Sequence, residues 1–106
     1  MAETIEEFAR RHLDWSLKTF GPGKQTDGLT AHIEKELAEI RAAPDDLVEW
    51  LDVMTLAMDG YLRHGGRADT LLADLAAKQA VNLERKWSAP ADNGAPVEHD
   101  RSQDEP

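Results

Sequence analysis

The chain has 106 residues, of which 41% are hydrophobic and 31% charged, with a formal net charge of −9 and no cysteine. The length sets one domain as the prior. The acidic balance argues against a nucleic-acid polymer as ligand, because neutralising phosphates needs a basic patch. The missing cysteines exclude disulfides, thiolate metal sites and a thiol nucleophile. The opening run MAETIEEFARRH is charged and lacks a signal-peptide core. No segment holds the roughly 20 apolar residues needed to cross a bilayer. No membrane partner and a cytoplasmic location are therefore expected.

The pattern predicts four helices. The first runs from Thr4 to Thr19, opened by a capping box in which Thr4 and Glu7 satisfy each other's backbone donors. Ile5, Phe8, Ala9, His12, Leu13 and Ser16 share its broad inner face, with Trp15 at the edge. Phe20-Gly21-Pro22-Gly23 breaks the helix. The second helix is expected from about Gly28 to Ala42, with Asp27 as cap. Its apolar stripe is Leu29, Ile33, Leu37 and Ile40, and Glu36 lies inside that stripe, about 20° from Leu29 on a helical wheel. Glu39 and His32 lie beside it.

A two-residue link leads to the central helix, Pro44 to Leu62, with Pro44, Asp45 and Asp46 suited to its first turn. Leu51, Met54, Met58, Tyr61 and Leu62 fall within about 60° of Leu47 on the wheel, while Val53, Leu56 and Ala57 occupy the other half. A helix apolar on both sides is normally buried on both sides, and in so short a chain that suits a core shared with a second copy. Yet Glu49 and Asp52, three residues apart, sit on one of those faces. His64-Gly65-Gly66 ends the helix. A fourth helix, from about Thr70 to Trp87 with Asp69 as cap, shows Leu71, Leu72 and Leu75 inward and then turns cationic on the same stripe at Lys78, Asn82 and Arg85. From Ser88 onward the composition has almost no large apolar residue and holds one Lys/Arg against five Asp/Glu. This reads as a disordered acidic tail, residues 88–106, after a folded domain of residues 1–87.

The short link favours antiparallel packing of the second and third helices. That packing makes Glu36-x-x-Glu39 face Glu49-x-x-Asp52. A single E-x-x-E is ordinarily a solvated face. Four carboxylates from two adjacent helices, one on an apolar stripe, suit a hard cation instead, because burying unpaired carboxylates is expensive and magnesium and manganese take oxygen ligands. Lys78, Asn82 and Arg85 then offer charge and hydrogen-bond donors to phosphate or sugar, although each of the two cations alone reads as a surface charge. Asp59 is a further ligand, a partner of Arg63 or Lys78, or exposed. His12 and His32 read as hydrogen-bonded core histidines, and Trp15, Phe20, Trp50 and Trp87 as core, with base stacking open to Trp15 and Trp87.

The E-x-x-E and E-x-x-D pair, about ten residues apart, resembles the all-α nucleoside triphosphate pyrophosphohydrolases of the MazG type. Trp15-Ser16-Leu17-Lys18-Thr19-Phe20-Gly21-Pro22-Gly23, His32-Ile33-Glu34-Lys35-Glu36-Leu37, Ala43-Pro44-Asp45-Asp46-Leu47 and Lys78…Asn82…Arg85-Lys86-Trp87 resemble the dATP/dGTP pyrophosphohydrolase branch common in bacteriophages. The resemblance covers roughly residues 8–88. It implies a four-helix MazG-like bundle that hydrolyses a (d)NTP, with purine dGTP or dATP favoured, to (d)NMP and pyrophosphate through water attack at the α-phosphorus. Carried over by position, Glu36, Glu39, Glu49 and Asp52 hold two or more Mg2+ or Mn2+ ions, and Glu39 and Glu49 are the catalytic carboxylates. Trp15, Lys18, Phe20, Lys78, Asn82 and Arg85 contact substrate. Where the family usually opens its first motif with a glutamate pair, Lys35 stands in the leading place, which removes a possible fifth carboxylate. The family's usual assembly, a dimer or a tetramer of dimers, implies a homo-oligomer, located in the host cytoplasm if the gene is a phage's. Two other readings stay open: a non-catalytic acidic helical module that binds a basic protein partner, and a pyrimidine pyrophosphohydrolase acting on dUTP or dCTP.

Overall fold

Thr4 opens the first helix as its sequence requires. Its hydroxyl accepts the Glu7 N–H at 3.1 Å, and the Glu7 side chain accepts the Thr4 N–H in return. This helix, α1, is Ile5–Phe20 in a computed structural model that describes residues 2–85, 87, 96 and 97. It is followed by α2, Thr26–Ala42, α3, Leu47–Arg63, and α4, Leu71–Glu84. There is no strand among the described residues, so the all-α class holds. No helix among them is long and apolar enough to cross a membrane. The tail expected from Ser88 lies outside the described residues apart from Pro96 and Val97.

By its internal contacts the chain divides into Met1–Leu72 and Ala73–Pro106. In the first unit α2 and α3 form an antiparallel hairpin. Thr26 meets His64 through a 2.6 Å hydrogen bond, Gly60 lies under Leu29, and the carboxylates of α2 and α3 converge near the link. The apolar core joins α1 to the end of α3. Ala9, Leu62 and Leu71 are buried, with Leu13, Met58, Tyr61 and Ala68 packed against them. The Tyr61 ring packs against Gly66, where any Cβ would collide with it. In the second unit, α4 continues from Ala73 and the indole N–H of Trp87 donates to the Asn82 carbonyl at 2.8 Å.

Several boundaries differ from expectation for local reasons. The second helix starts at Thr26, before the expected cap Asp27, because Gln25 takes a left-handed conformation (φ 55°) and turns the chain there. The third starts at Leu47. Asp46 is its cap, accepting the Val48 N–H, and Pro44 and Asp45 form a turn ahead of it. The fourth begins at Leu71.

Burial differs more. The first half of the central helix is exposed on its Leu47 face, where Leu47 is 73% and Met54 65% accessible, and only Leu62 on that face is fully buried. Trp15, Phe20, Trp50 and Trp87 are exposed as well, not core. One chain of this size has too little partner surface to cover them. Trp50 instead uses its indole N–H locally, donating to the Pro44 carbonyl at 2.9 Å.

Candidate functional site

The hairpin's short link brings the ends of two acidic helices together. Glu36, the carboxylate set in the apolar stripe of α2, is 7% exposed, and Glu49 and Asp52 across from it are half-buried. One carboxylate oxygen from each of the three lies within 4.8 Å of the others. Glu39, one turn on from Glu36, is close enough to shift the titration of both Glu36 and Glu49. The four carboxylates predicted from the two motifs are therefore neighbours.

Their electrostatics are those of a crowded anion cluster. Burial, together with hydrogen bonding to Glu39 and the charges of Glu39, Asp46 and Glu36, pushes Glu49 up to about 7. Glu36 is raised above the usual carboxylate range by its hydrogen bond to Glu39, by burial and by the charges of Glu39 and Asp52. Glu39 is lowered by hydrogen bonding with both. The Oε2 atoms of Glu36 and Glu49 are buried and lack any hydrogen-bond partner. Buried polar atoms are seldom left so. His32 stands beside the cluster, its Nε2 3.2 Å from Glu36 Oε1 and its side chain half-exposed, which corrects its assignment as a core histidine, and the charge of Lys35 acts on Glu39. The donor set, oxygen only and over-rich in negative charge, fits Mg2+ or Mn2+.

A cavity of about 230 Å3 adjoins the cluster through His32. Its other walls include Phe20, Gln25, Leu29, Leu56 and Arg63. Phe20 is 56% exposed and packs edge-on against Trp15, the ring centroids 5.4 Å apart. The two predicted aromatic contacts are thus a pair, of which Phe20 is a wall of this cavity and Trp15 packs against Phe20. Lys18 projects from α1 and pairs with Asp14 at 3.0 Å in solvent. Lys78, Asn82 and Arg85 belong to the second unit, on and just beyond α4, with Lys78 exposed and Asn82 and Arg85 half-buried. A larger cavity of about 420 Å3, on α1 and the link after α3, holds charges that are already spoken for: Arg67 pairs with Asp69, Arg10 with Glu6 and Asp14 with Lys18. It offers no converging unsatisfied group, which a ligand site requires.

Of the alternatives open to Asp59, the structure shows the pairing with Arg63 and not exposure. Asp59 is 4% accessible and ion-paired to Arg63, whose side chain is 1% accessible, with the fully buried Ser16 donating to its Oδ2 at 2.9 Å. His12 stands beside them, its Nε2 3.7 Å from Asp59 Oδ1 and without a hydrogen bond, so it is not the hydrogen-bonded core histidine expected. The i, i+4 spacing of Asp59 and Arg63 signalled the pair; Ser16 and the Gly21 and Gly23 carbonyls that join it lie too far along the chain for a spacing rule to find.

Comparison with known proteins agrees with this architecture. A family model described as dATP/dGTP pyrophosphohydrolase matches residues 8–105. The Eaa protein of Salmonella phage P22 is 35% identical over 101 residues, 94% of this chain, though the chain spans only 31% of that protein's length. A solved cyanophage S-2L MazG-like pyrophosphohydrolase, bound to dGDP and three catalytic Mn2+ ions per active site, superposes with a TM-score of 0.71 at 28% identity, covering 93% of this chain and 99% of the other.

Proposed function

The chain belongs to the dATP/dGTP pyrophosphohydrolase family, and on that premise we propose that it hydrolyses a purine (deoxy)nucleoside triphosphate to the monophosphate and pyrophosphate. The observation that carries the reading is the Glu36, Glu49 and Asp52 convergence, with its unpartnered buried oxygens and its upward-shifted carboxyls. Those features are what a cation site looks like when protons stand in for the cations.

Glu36, Glu49 and Asp52 hold two or more Mg2+ or Mn2+ ions, with Glu39 completing the set. Such ions supply charge neutralisation toward the phosphates and ease deprotonation of a water. The water oxygen forms a bond to the α-phosphorus as the bond from that phosphorus to the α–β bridging oxygen breaks, and pyrophosphate leaves. We assign the water's proton to Glu39, which is ionised at neutral pH and so has a carboxylate oxygen open to accept it. Glu49 is the partner that must give up its own proton before the site can load.

The nucleoside enters the cavity beside His32, against the Phe20 and Trp15 rings. Lys18 supplies a donor to phosphate or sugar, and the same role for Lys78, Asn82 and Arg85, which belong to the second unit, rests on the family resemblance alone. The purine preference is supported by the family's description and by the dGDP held in the cyanophage enzyme. The exposed Leu47, Leu51 and Met54 face of α3 is the surface on which a second copy docks, giving the dimer or tetramer.

The test is a panel of dNTPs with Mn2+ or Mg2+, scored for pyrophosphate against orthophosphate. The expected result is pyrophosphate from dGTP and dATP ahead of dUTP and dCTP, and none in EDTA. Faster pyrimidine turnover would move the chain to a pyrimidine-selective role. No pyrophosphate from any nucleotide would leave the acidic interaction module.

A further inference from the structure

Buried at the end of α3 is a second charged centre with the opposite character from the carboxylate cluster. The Arg63 guanidinium spends every arm on a protein acceptor. Its Nε donates to both Asp59 oxygens at 3.3 Å, its Nη1 to the carbonyls of Gly21 at 2.9 Å and Gly23 at 2.8 Å, and its Nη2 to Ser16 Oγ at 2.9 Å. Those carbonyls bracket the Gly21-Pro22-Gly23 turn between α1 and α2. The turn has no regular hydrogen bonding to hold it. Gly21 and Gly23 have φ of 89° and 93°, and Gln25 follows with φ 55°, its side-chain amide donating to the Pro22 carbonyl at 3.0 Å. The two glycines reach positive φ without strain and are not held there by it, while Gln25 is strained at φ 55°, so contacts from outside must fix the shape of the turn. Of those contacts, the ones from Arg63 come from another helix.

The turn also shapes the cavity that adjoins the carboxylates, since Phe20 and Gln25 at its two ends are cavity walls and Arg63 itself is another. We infer that Arg63, through its simultaneous hold on Asp59, Ser16 and the Gly21 and Gly23 carbonyls, is a positioning residue that fixes the α1–α2 turn as a wall for the nucleotide. The inference rests on reading the neighbouring carboxylates as the pyrophosphohydrolase site. One helix then sets both halves of that site: the first turns of α3 carry Glu49 and Asp52, and its last turn holds the nucleoside wall in register with them. A guanidinium is needed because a planar fork spans several acceptors at fixed angles, whereas an ammonium with the same charge is a single point.

The experiment compares Arg63→Lys and Ser16→Ala with the parent chain and with Arg10→Gln, which breaks an exposed pair elsewhere. Hydrogen exchange of the amides over residues 21–25 is read in the absence of nucleotide, and dGTP turnover with Mn2+ well below the melting temperature. Arg63→Lys is expected to speed exchange in the turn and to raise KM about tenfold with kcat nearly kept, the pattern of lost ground-state and transition-state binding alike. Ser16→Ala keeps the ion pair and moves both readouts the same way by less, which guards against poor folding of the lysine variant. Arg10→Gln should change neither, and Mn2+ affinity without nucleotide should be unchanged in all. Faster exchange with unchanged KM, or a fall in kcat and Mn2+ affinity with KM kept, would overturn the positioning role. A parent that releases no pyrophosphate from dGTP or any other dNTP overturns the reading of the carboxylate site itself, and the positioning role falls with it.

Discussion

The two ends of α3 handle buried acid in opposite ways. At its last turn Asp59 is matched by a buried guanidinium, a serine hydroxyl and two backbone carbonyls that use up the remaining donors. At its first turns Glu49 and Asp52 meet Glu36 and Glu39, carboxylates against carboxylates, with the His32 ring beside Glu36. Folding alone tolerates the first arrangement, in which each buried charge has a partner, and penalises the second. A chain that keeps both is storing an unmet demand for positive charge at one place and rigidity at the other, and the place with the unmet demand is where a cation and a polyanionic substrate belong.

The comparison breaks most visibly in turnover. Glu49→Gln should leave a folded chain whose pyrophosphate release falls on the order of a thousandfold, the scale of removing one charged group from a preorganised site. A steady-state assay checks it, and because repulsion is relieved the metal-free melting temperature should not drop. Asp59→Ala is the converse. It strips a buried guanidinium of its counter-charge and should cost about 3–5 kcal/mol of stability, read from denaturant unfolding. If the two substitutions exchanged these effects, the assignment of the two centres would be reversed.

Next in size is the response to the cation. Mn2+ at about a hundred times its Kd should stabilise the parent by about 2.7 kcal/mol, and Glu49→Gln should abolish most of that thermal shift. The pH dependence sharpens the same point. Glu49 holds its proton up to about 7 in the folded chain against an ordinary value of 4.5, so the stability carried by its protonated form is complete below pH 4.5 and is lost as the pH rises through about 7. Glu36 is displaced the same way. Glu39 is displaced downward, so its contribution is present above pH 4.5 and is lost as the pH falls. In EDTA the melting temperature should therefore fall between pH 4.5 and about 7. Saturating Mn2+ should flatten or reverse that slope, because binding needs the deprotonated acids. The smallest effect belongs to the exposed pair of Lys18 and Asp14: Lys18→Ala should shift stability by no more than about 0.5 kcal/mol in unfolding.

The sequence made the parts with local causes legible. The Thr4–Glu7 capping box is a four-residue event, and it forms as written. The hairpin follows from a link too short to do anything else, and Glu36 on the α2 stripe is buried because the period of the helix puts it there. The side-chain convergence at Glu36, Glu49 and Asp52 is that same hairpin geometry. What was not legible depends on partners far along the chain. Arg63 reaches Ser16 across 47 positions and Gly21 across 42, and no spacing rule links them. The aromatic residues misled for another reason: hydrophobicity says that Trp15, Phe20 and Trp50 want cover, but one short chain does not provide it. The Gln25 turn was missed because a left-handed glutamine has no signature in composition.

The most direct test is anomalous diffraction at the manganese edge from crystals of the full chain grown with Mn2+. The account predicts at least two peaks among the Glu36, Glu39, Glu49 and Asp52 oxygens, with none beside Asp59. Absence of any peak between α2 and α3, with the four side chains turned out to water, would contradict it.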